Sequence, residues 1–278
     1  MRKVILLAAA ALFTMASFAQ SLETLSVEKE KDGLFSRKLG DYIMEGNVKD
    51  GLKEGTWYEI YPETQMFHRM IQYEKGMKSG MYLEIDENGS LTKKAEYSDN
   101  RLNGSSYTWF KGGRLSGKNT YKNDVLDGEQ IKCYEHGGNQ ETAWYKDGLR
   151  DGLTTWFDQS GNKIMSIEYK AGLFEGEQRT FYQDGTVKTL KNFKNNIQEG
   201  PAYEYYESGA LKSESKYKNG ELSGKMKNYK DKSVADEKVL LEKKELSKDA
   251  KNASVELKNP LSNDPKATTS KQVVKKKP

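Results

Sequence analysis

Between residues 48 and 229 apolar side chains recur with a period of two, and a helical period of 3.6 is not sustained. Leu83 and Ile85, Tyr107 and Trp109, Ile131 and Cys133, and Tyr203 and Tyr205 stand two apart at equivalent places, so each pair shares one face of a strand. The pattern itself repeats. Tyr73, Tyr97, Tyr121, Tyr145, Tyr169, Phe193 and Tyr217 follow one another at 24-residue intervals. Seven places after each stands a glycine, from Gly80 to Gly224, and sixteen places after the first six stands another, from Gly89 to Gly209. Three places after each aromatic comes Gly76, Asn100, Asp124, Gly148, Gly172, Asn196 or Gly220, all residues that tolerate the left-handed backbone region. An additional copy with one extra residue starts at Val48 and carries Gly51 and Gly55.

Two turns in 24 residues leave two strands of roughly seven to nine residues, an ordinary strand length. Asp147-Gly148 and Asn219-Gly220 are tight-turn pairs, and the second turn comes halfway along, as at Asp184-Gly185 and Ser208-Gly209. Each copy therefore predicts a β-hairpin joined to the next by another hairpin turn. The expected fold is all-β, an elongated antiparallel meander of about eight 24-residue units and about sixteen strands over 48–229.

The flanks differ from the array. Arg2 and Lys3, an apolar run from Val4 to Ala16 and the small residues of Ser17-Phe18-Ala19 read as a signal peptide over 1–19, followed by Gln20. Export to the periplasm, the outer envelope or the medium is expected. Residues 20–47 form an N-terminal segment with a degenerate first copy over 31–47. Residues 230–278 are a Lys-rich low-complexity tail without aromatic or glycine beyond Lys230, carrying 12 Lys against 8 acidic residues over 231–278. A short helix is expected at 234–247.

Composition narrows the chemistry. Only 35% of the 278 residues are apolar and 31% are charged, too few apolar side chains for a thick core, yet 17 Tyr and 4 Trp are more than a disordered chain carries. The formal charge of +4 is too even to point to nucleic acid. A lone Cys133 excludes an internal disulfide framework and fills a position that sister copies give to Ile85, Trp109, Phe157, Phe181 and Tyr205. His68 and His136 lack a flanking nucleophile pattern, and no phosphate-binding glycine loop opens a helix. Glu54, Asp127, Asp151, Glu175 and Glu199 recur just before the register glycine, where turn capping explains them better than catalysis. No enzymatic activity, cofactor or metal is expected.

The unit Tyr-Lys-Asn-Gly-x-Leu-x-Gly at 217–224, followed by aromatics and a second glycine turn, resembles the MORN repeat (membrane occupation and recognition nexus). It is closest in form to the bacterial 24-residue variant of the YwqK antitoxin type. The resemblance covers about 48–229 and implies a β-hairpin scaffold for proteins or membranes. The leader sits poorly with an antitoxin beside a cytoplasmic toxin. Candidate binding residues are the aromatics that recur in the first strand of each copy: Trp57, Tyr58, Tyr61, Trp109, Phe110, Tyr134, Trp156, Phe181, Tyr182, Tyr205 and Tyr206. A protein or peptide partner is expected, with a cell-envelope glycan or an anionic membrane surface as the alternative.

Overall fold

The structure, a computed structural model, describes residues 21–231. The expected leader over 1–19 and the tail from residue 232, with its expected helix, lie outside the described residues. Below, copies 1 to 8 are the units starting at Val48, Tyr73, Tyr97, Tyr121, Tyr145, Tyr169, Phe193 and Tyr217.

Twenty strand segments make one antiparallel sheet, and no helix occurs among the described residues. Each strand pairs with its neighbours in sequence. The first, Gly33–Leu39, pairs only with Tyr42–Lys49, and the last segments, Glu221–Leu222 and Lys227–Asn228, pair only with Leu211–Lys218, so the sheet is open. The hairpin Gly33–Lys49 thus occupies the place of the degenerate first copy.

Two kinds of hairpin alternate. At the near edge a two-residue turn places both central residues at positive φ, as at Asp147 (49°) and Gly148 (81°) or Asn195 (50°) and Asn196 (68°). That is the type I′ geometry whose twist matches the flanking strands; its second residue is Gly, Asn or Asp in every copy, while the first also admits Lys75 and Ala171. At the far edge the Gly161 N–H donates to the Asp158 carbonyl at 3.0 Å and the Asp158 N–H to Asn162 at 2.9 Å, a three-residue loop closed by glycine at φ 87°.

Every copy is also bulged. Tyr73 pairs with Lys78 but Ile71 pairs with Tyr82, so two extra residues are accommodated around Gly80. Equivalent shifts occur at copies 4, 6 and 7. Such bulges bend the strand and raise its twist. The bulge glycine at copy 5, Gly152, has φ 116° with the Trp144 side chain 3.2 Å from where a Cβ would stand, so both backbone and space demand glycine there.

One compact hydrophobic cluster forms, at the N-terminal end. Residues 21–27, a tight turn closed by the Leu25 N–H on the Ser21 carbonyl at 3.0 Å followed by two residues, lie as a strap across the inner face of the first copies. Leu22, Leu25 and Val27 pack with Phe35, Met44, Val48, Trp57, Ile71, Tyr73, Tyr82 and Ala95. The strap is also bonded to the sheet. Leu22 N–H donates to Glu59 at 3.2 Å, Lys53 Nζ donates to the Leu22 carbonyl, and Lys78 pairs with Glu23 at 3.1 Å. Trp57 can lie flat on the neighbouring strand because residue 46 is glycine: a Cβ there would sit 2.0 Å from the indole.

Candidate binding surfaces

Successive copies are tied at both edges. At the near edge the second turn residue donates its N–H one copy back, Gly148 to Leu126 and Gly172 to Arg150 at 2.8 Å, Asn196 to Phe174 at 3.1 Å. Where that residue is Asn or Asp its side chain accepts in return, from Lys78, Leu102 and Phe174 N–H at 2.7 Å. The carboxylates before the register glycine cap the first residue of the following turn. Glu54 accepts from Lys75 N–H at 2.8 Å, Asp151 from Ala171 at 3.1 Å, Glu175 from Asn195 at 2.9 Å and Glu199 from Asn219 at 2.7 Å. These acids are turn caps, in agreement with their recurrence in the sequence.

At the far edge tyrosine does the tying. The hydroxyls of Tyr134, Tyr182 and Tyr206 donate to the carbonyls of Phe157, Tyr205 and Tyr229, each one copy on, at 2.8, 2.8 and 2.9 Å. Tyr61, at the same place in copy 1, instead meets His68 Nδ1 at 2.9 Å, and the His68 nitrogen lies 2.9 Å from the Ile85 carbonyl. Burial, followed by the nearby Tyr42 and the carboxylates Glu87 and Asp86, pushes the Tyr61 phenol up to about 12. Tyr42 stacks on His68 at 5.0 Å and completes a recess with Glu84, Asp86 and Glu87.

The eleven candidate aromatics therefore do not form one surface. Trp57 is a correction: it is completely buried beneath the strap and is a core residue. Nothing in a repeat register announces that a preceding segment will fold back over one copy. Trp156 is half-buried on the inner face, where its indole N–H donates to Glu141 at 3.2 Å and the Arg150 guanidinium lies over it at 5.5 Å. Tyr58, Trp109, Phe181 and Tyr205 share the opposite face, half-buried, with ring contacts such as Tyr58–Phe67 at 6.1 Å, Tyr107–Trp109 at 6.1 Å and Tyr203–Tyr205 at 6.4 Å. Tyr61, Phe110, Tyr134, Tyr182 and Tyr206 line the far edge, also half-buried. Cys133 is 8% exposed, free, and its thiol is pushed up by burial, as a core filler should be.

The inner aromatic row is interleaved rather than stacked ring on ring. Lys53 sits 4.9 Å from Tyr73, Lys78 4.3 Å from Tyr97, and Arg150 5.7 and 5.4 Å from Tyr145 and Tyr169, while Phe174 packs edge-on between Tyr169 and Phe193 at 5.1 and 5.7 Å. The residue five places into each copy thus spaces the rings. Among the described residues no group of three His, Cys, Asp or Glu stands together to hold a metal ion.

An open sheet of repeated hairpins, each copy tied to the next, is a repeat scaffold. Residues 174–195 and 198–219, two adjacent copies in the same register, match the MORN repeat variant, so the chain carries repeats of that family. Comparison with curated proteins finds no match.

Proposed function

We propose that this protein is an exported scaffold that binds a partner protein or peptide through the aromatic side chains of copies 3 to 7 along the far edge and the face beside it. The observation that carries this reading is the run Trp109-Phe110, Phe181-Tyr182 and Tyr205-Tyr206, adjacent pairs in register that stay half-exposed while hydroxyl ties fix Tyr182 and Tyr206. Rigid aromatics held this way lose little entropy on contact, which is what a recognition surface requires. Chemistry plays no part in the proposal.

Selection of displayed random peptides against residues 20–278 tests it. Enriched peptides that lose affinity stepwise on Trp109→Ala, Phe181→Ala and Tyr205→Ala support the reading. Co-sedimentation with purified cell-wall polymer or anionic vesicles, without peptide enrichment, would assign the surface to glycan or membrane instead. Export is tested separately by the N-terminal sequence of the mature protein, expected to begin at Gln20.

A further inference from the structure

The near edge carries a second periodic row. Directly across four successive turns Lys122 pairs with Val125, Lys146 with Leu149, Lys170 with Leu173 and Lys194 with Ile197. All eight side chains are exposed, the aliphatic ones by 43, 51, 39 and 49%. None of the four lysines joins an ion pair among the described residues. The aliphatics form a continuous ridge because each lies over the next turn: a Cβ on Gly148, Gly172 or Gly220 would meet Val125, Leu149 or Ile197 at 3.4, 3.5 or 3.7 Å. On the strand after each aliphatic stands the carboxylate of Asp127, Asp151, Glu175 or Glu199. The row is bounded, since copy 2 has Glu74 across from Met77, copy 3 has Ser98 across from Arg101, and copy 8 has Glu221 in the aliphatic place.

With lysine on one side of every aliphatic and a carboxylate on the other, the ridge is close to neutral and suits neither an anionic membrane nor a polyanion. Turned end for end, the pattern exchanges its lysines and carboxylates and keeps its aliphatics in place. It is complementary to itself under a two-fold rotation. We propose that this ridge docks a second copy of the chain, antiparallel, with Leu149 of one protomer against Leu173 of the other and Val125 against Ile197. In that register Lys146 faces Glu175, Lys170 faces Asp151, Lys122 faces Glu199 and Lys194 faces Asp127. Copies recur every two strands, about 9.6 Å, so the ridge is roughly 35 Å long. A contact of that length and about 12 Å width buries on the order of 800 Å² in total, below the standard size, so the dimer is a weak, reversible one.

Sedimentation velocity of the mature chain from about 1 to 200 µM reads this directly. A monomer–dimer equilibrium is expected, weakened at least tenfold by Leu149→Ser with Leu173→Ser at an unchanged circular-dichroism spectrum. Lys146→Glu alone weakens it, and adding Glu175→Lys restores it, which a dimer in any other register would not show. Lys170→Cys, close to the two-fold axis, gives a disulfide-linked dimer on oxidation, because Cys133 is buried. A chain that stays monomeric at 200 µM overturns the proposal. So does a dimer indifferent to the serine pair, or one in which the charge reversal fails to restore binding.

Discussion

The two halves of the array bury the same repeat position by different means. Nine places after the start of each copy the N-terminal end has Trp57 and Tyr82, whereas copies 3, 4, 5 and 7 have Ser106, Gln130, Thr154 and Ala202, and all six are at most 9% exposed. In the first half the large rings need a lid, and the strap Leu22–Val27 supplies one, making an ordinary hydrophobic core. In the second half a small or polar residue leaves room for the copy's own side chains to close over it. Around Thr154 these include Arg150, bonded to Glu141, with Trp156 and Tyr169 against the guanidinium. The closure is imperfect. Thr154 Oγ1, Gln130 Oε1 and Arg150 Nη1 are buried without a hydrogen-bond partner, as are Glu59 Oε2, Arg69 Nε and Tyr73 Oη at the N-terminal end. Burial at this position is thus reached with large rings and with small or polar residues alike where the surroundings close over it, and it is lost where they do not: Gln178 of copy 6 is half-buried and Met226 of copy 8 is 47% exposed.

Breaking the strap should have the largest effect and should act on one half only. Leu22→Asp places a charge where the side chain is fully buried, so the first copies lose structure. Because each copy contacts only its neighbours, hydrogen exchange should accelerate across residues 42–85 and stay slow across 152–218. Uniform acceleration would show that the halves fold as one unit. Next in size is the contrast between Trp57 and Thr154. Trp57→Ala should cost about 3–5 kcal/mol through the cavity it leaves. Thr154→Val, nearly the same shape and rid of an unpartnered hydroxyl, should lie within about 1 kcal/mol of neutral and on the stabilising side. Denaturant midpoints of the two variants check this.

The sheet was legible because its determinants are local and recur. A type I′ turn needs two positive-φ residues, so Asn219-Gly220 or Asp147-Gly148 announces itself wherever it stands, and the capping acids fall at a fixed distance from it. The strap was not legible, since residues 21–27 lie outside the period and their partners, Glu59 and Lys53, are more than 30 residues away. For the same reason Trp57 read as one more recurring aromatic. The facing of the others was only half legible: alternation places Trp156 and Phe157 on opposite faces, but whether a hydroxyl is free or tied, as in Tyr182, depends on a carbonyl one copy away. The lysine and aliphatic rows at the near edge were visible at fixed places in the period. Their pairing was not legible, because turn-flanking lysines look like ordinary solvated positions.

Alkaline pH offers a gentler way to separate the halves. Burial, partly opposed by Glu23 and reinforced by Lys78, lowers the Lys53 amine from 10.5 to about 8. Between those values the unfolded chain holds a proton that the folded one has released, so this residue makes stability rise with pH from about 8 towards 10.5. Tyr73 and Tyr82 act oppositely. Burial raises both above the ordinary 10.0, so above pH 10 the unfolded chain loses protons that the folded one keeps, and stability falls. The N-terminal half should therefore be most stable near pH 10, read from hydrogen exchange or from thermal melts. Lys53→Met should remove the rise and keep the fall. At the equivalent place the second half carries Arg150, which does not titrate in this window, so it should show no rise at all.

The smallest effect tests how copies communicate. Thirteen places after the start of the copy, Tyr134, Tyr182 and Tyr206 reach forward to the next copy, whereas copies 2 and 5 have Asp86 and Asp158, whose carboxylates accept N–H groups of their own loop. Asp86 accepts from Asn88 and Ser90, and Asp158 from Ser160 and Asn162, all at 2.9 Å. One residue type couples neighbours and the other stiffens a single hairpin. Tyr182→Phe keeps the ring and removes the bond to the Tyr205 carbonyl, so it should cost about 0.5–1.5 kcal/mol. That loss falls on the interface between copies 6 and 7, so the unfolding transition should also broaden, with a smaller m-value, as a chain of units becomes less cooperative. Asp158→Ala should shift the midpoint and leave the slope unchanged, because it loosens a loop without touching an interface. Equal slopes for both variants would mean that the sheet ladder alone carries the coupling and that the tyrosine ties are incidental to it.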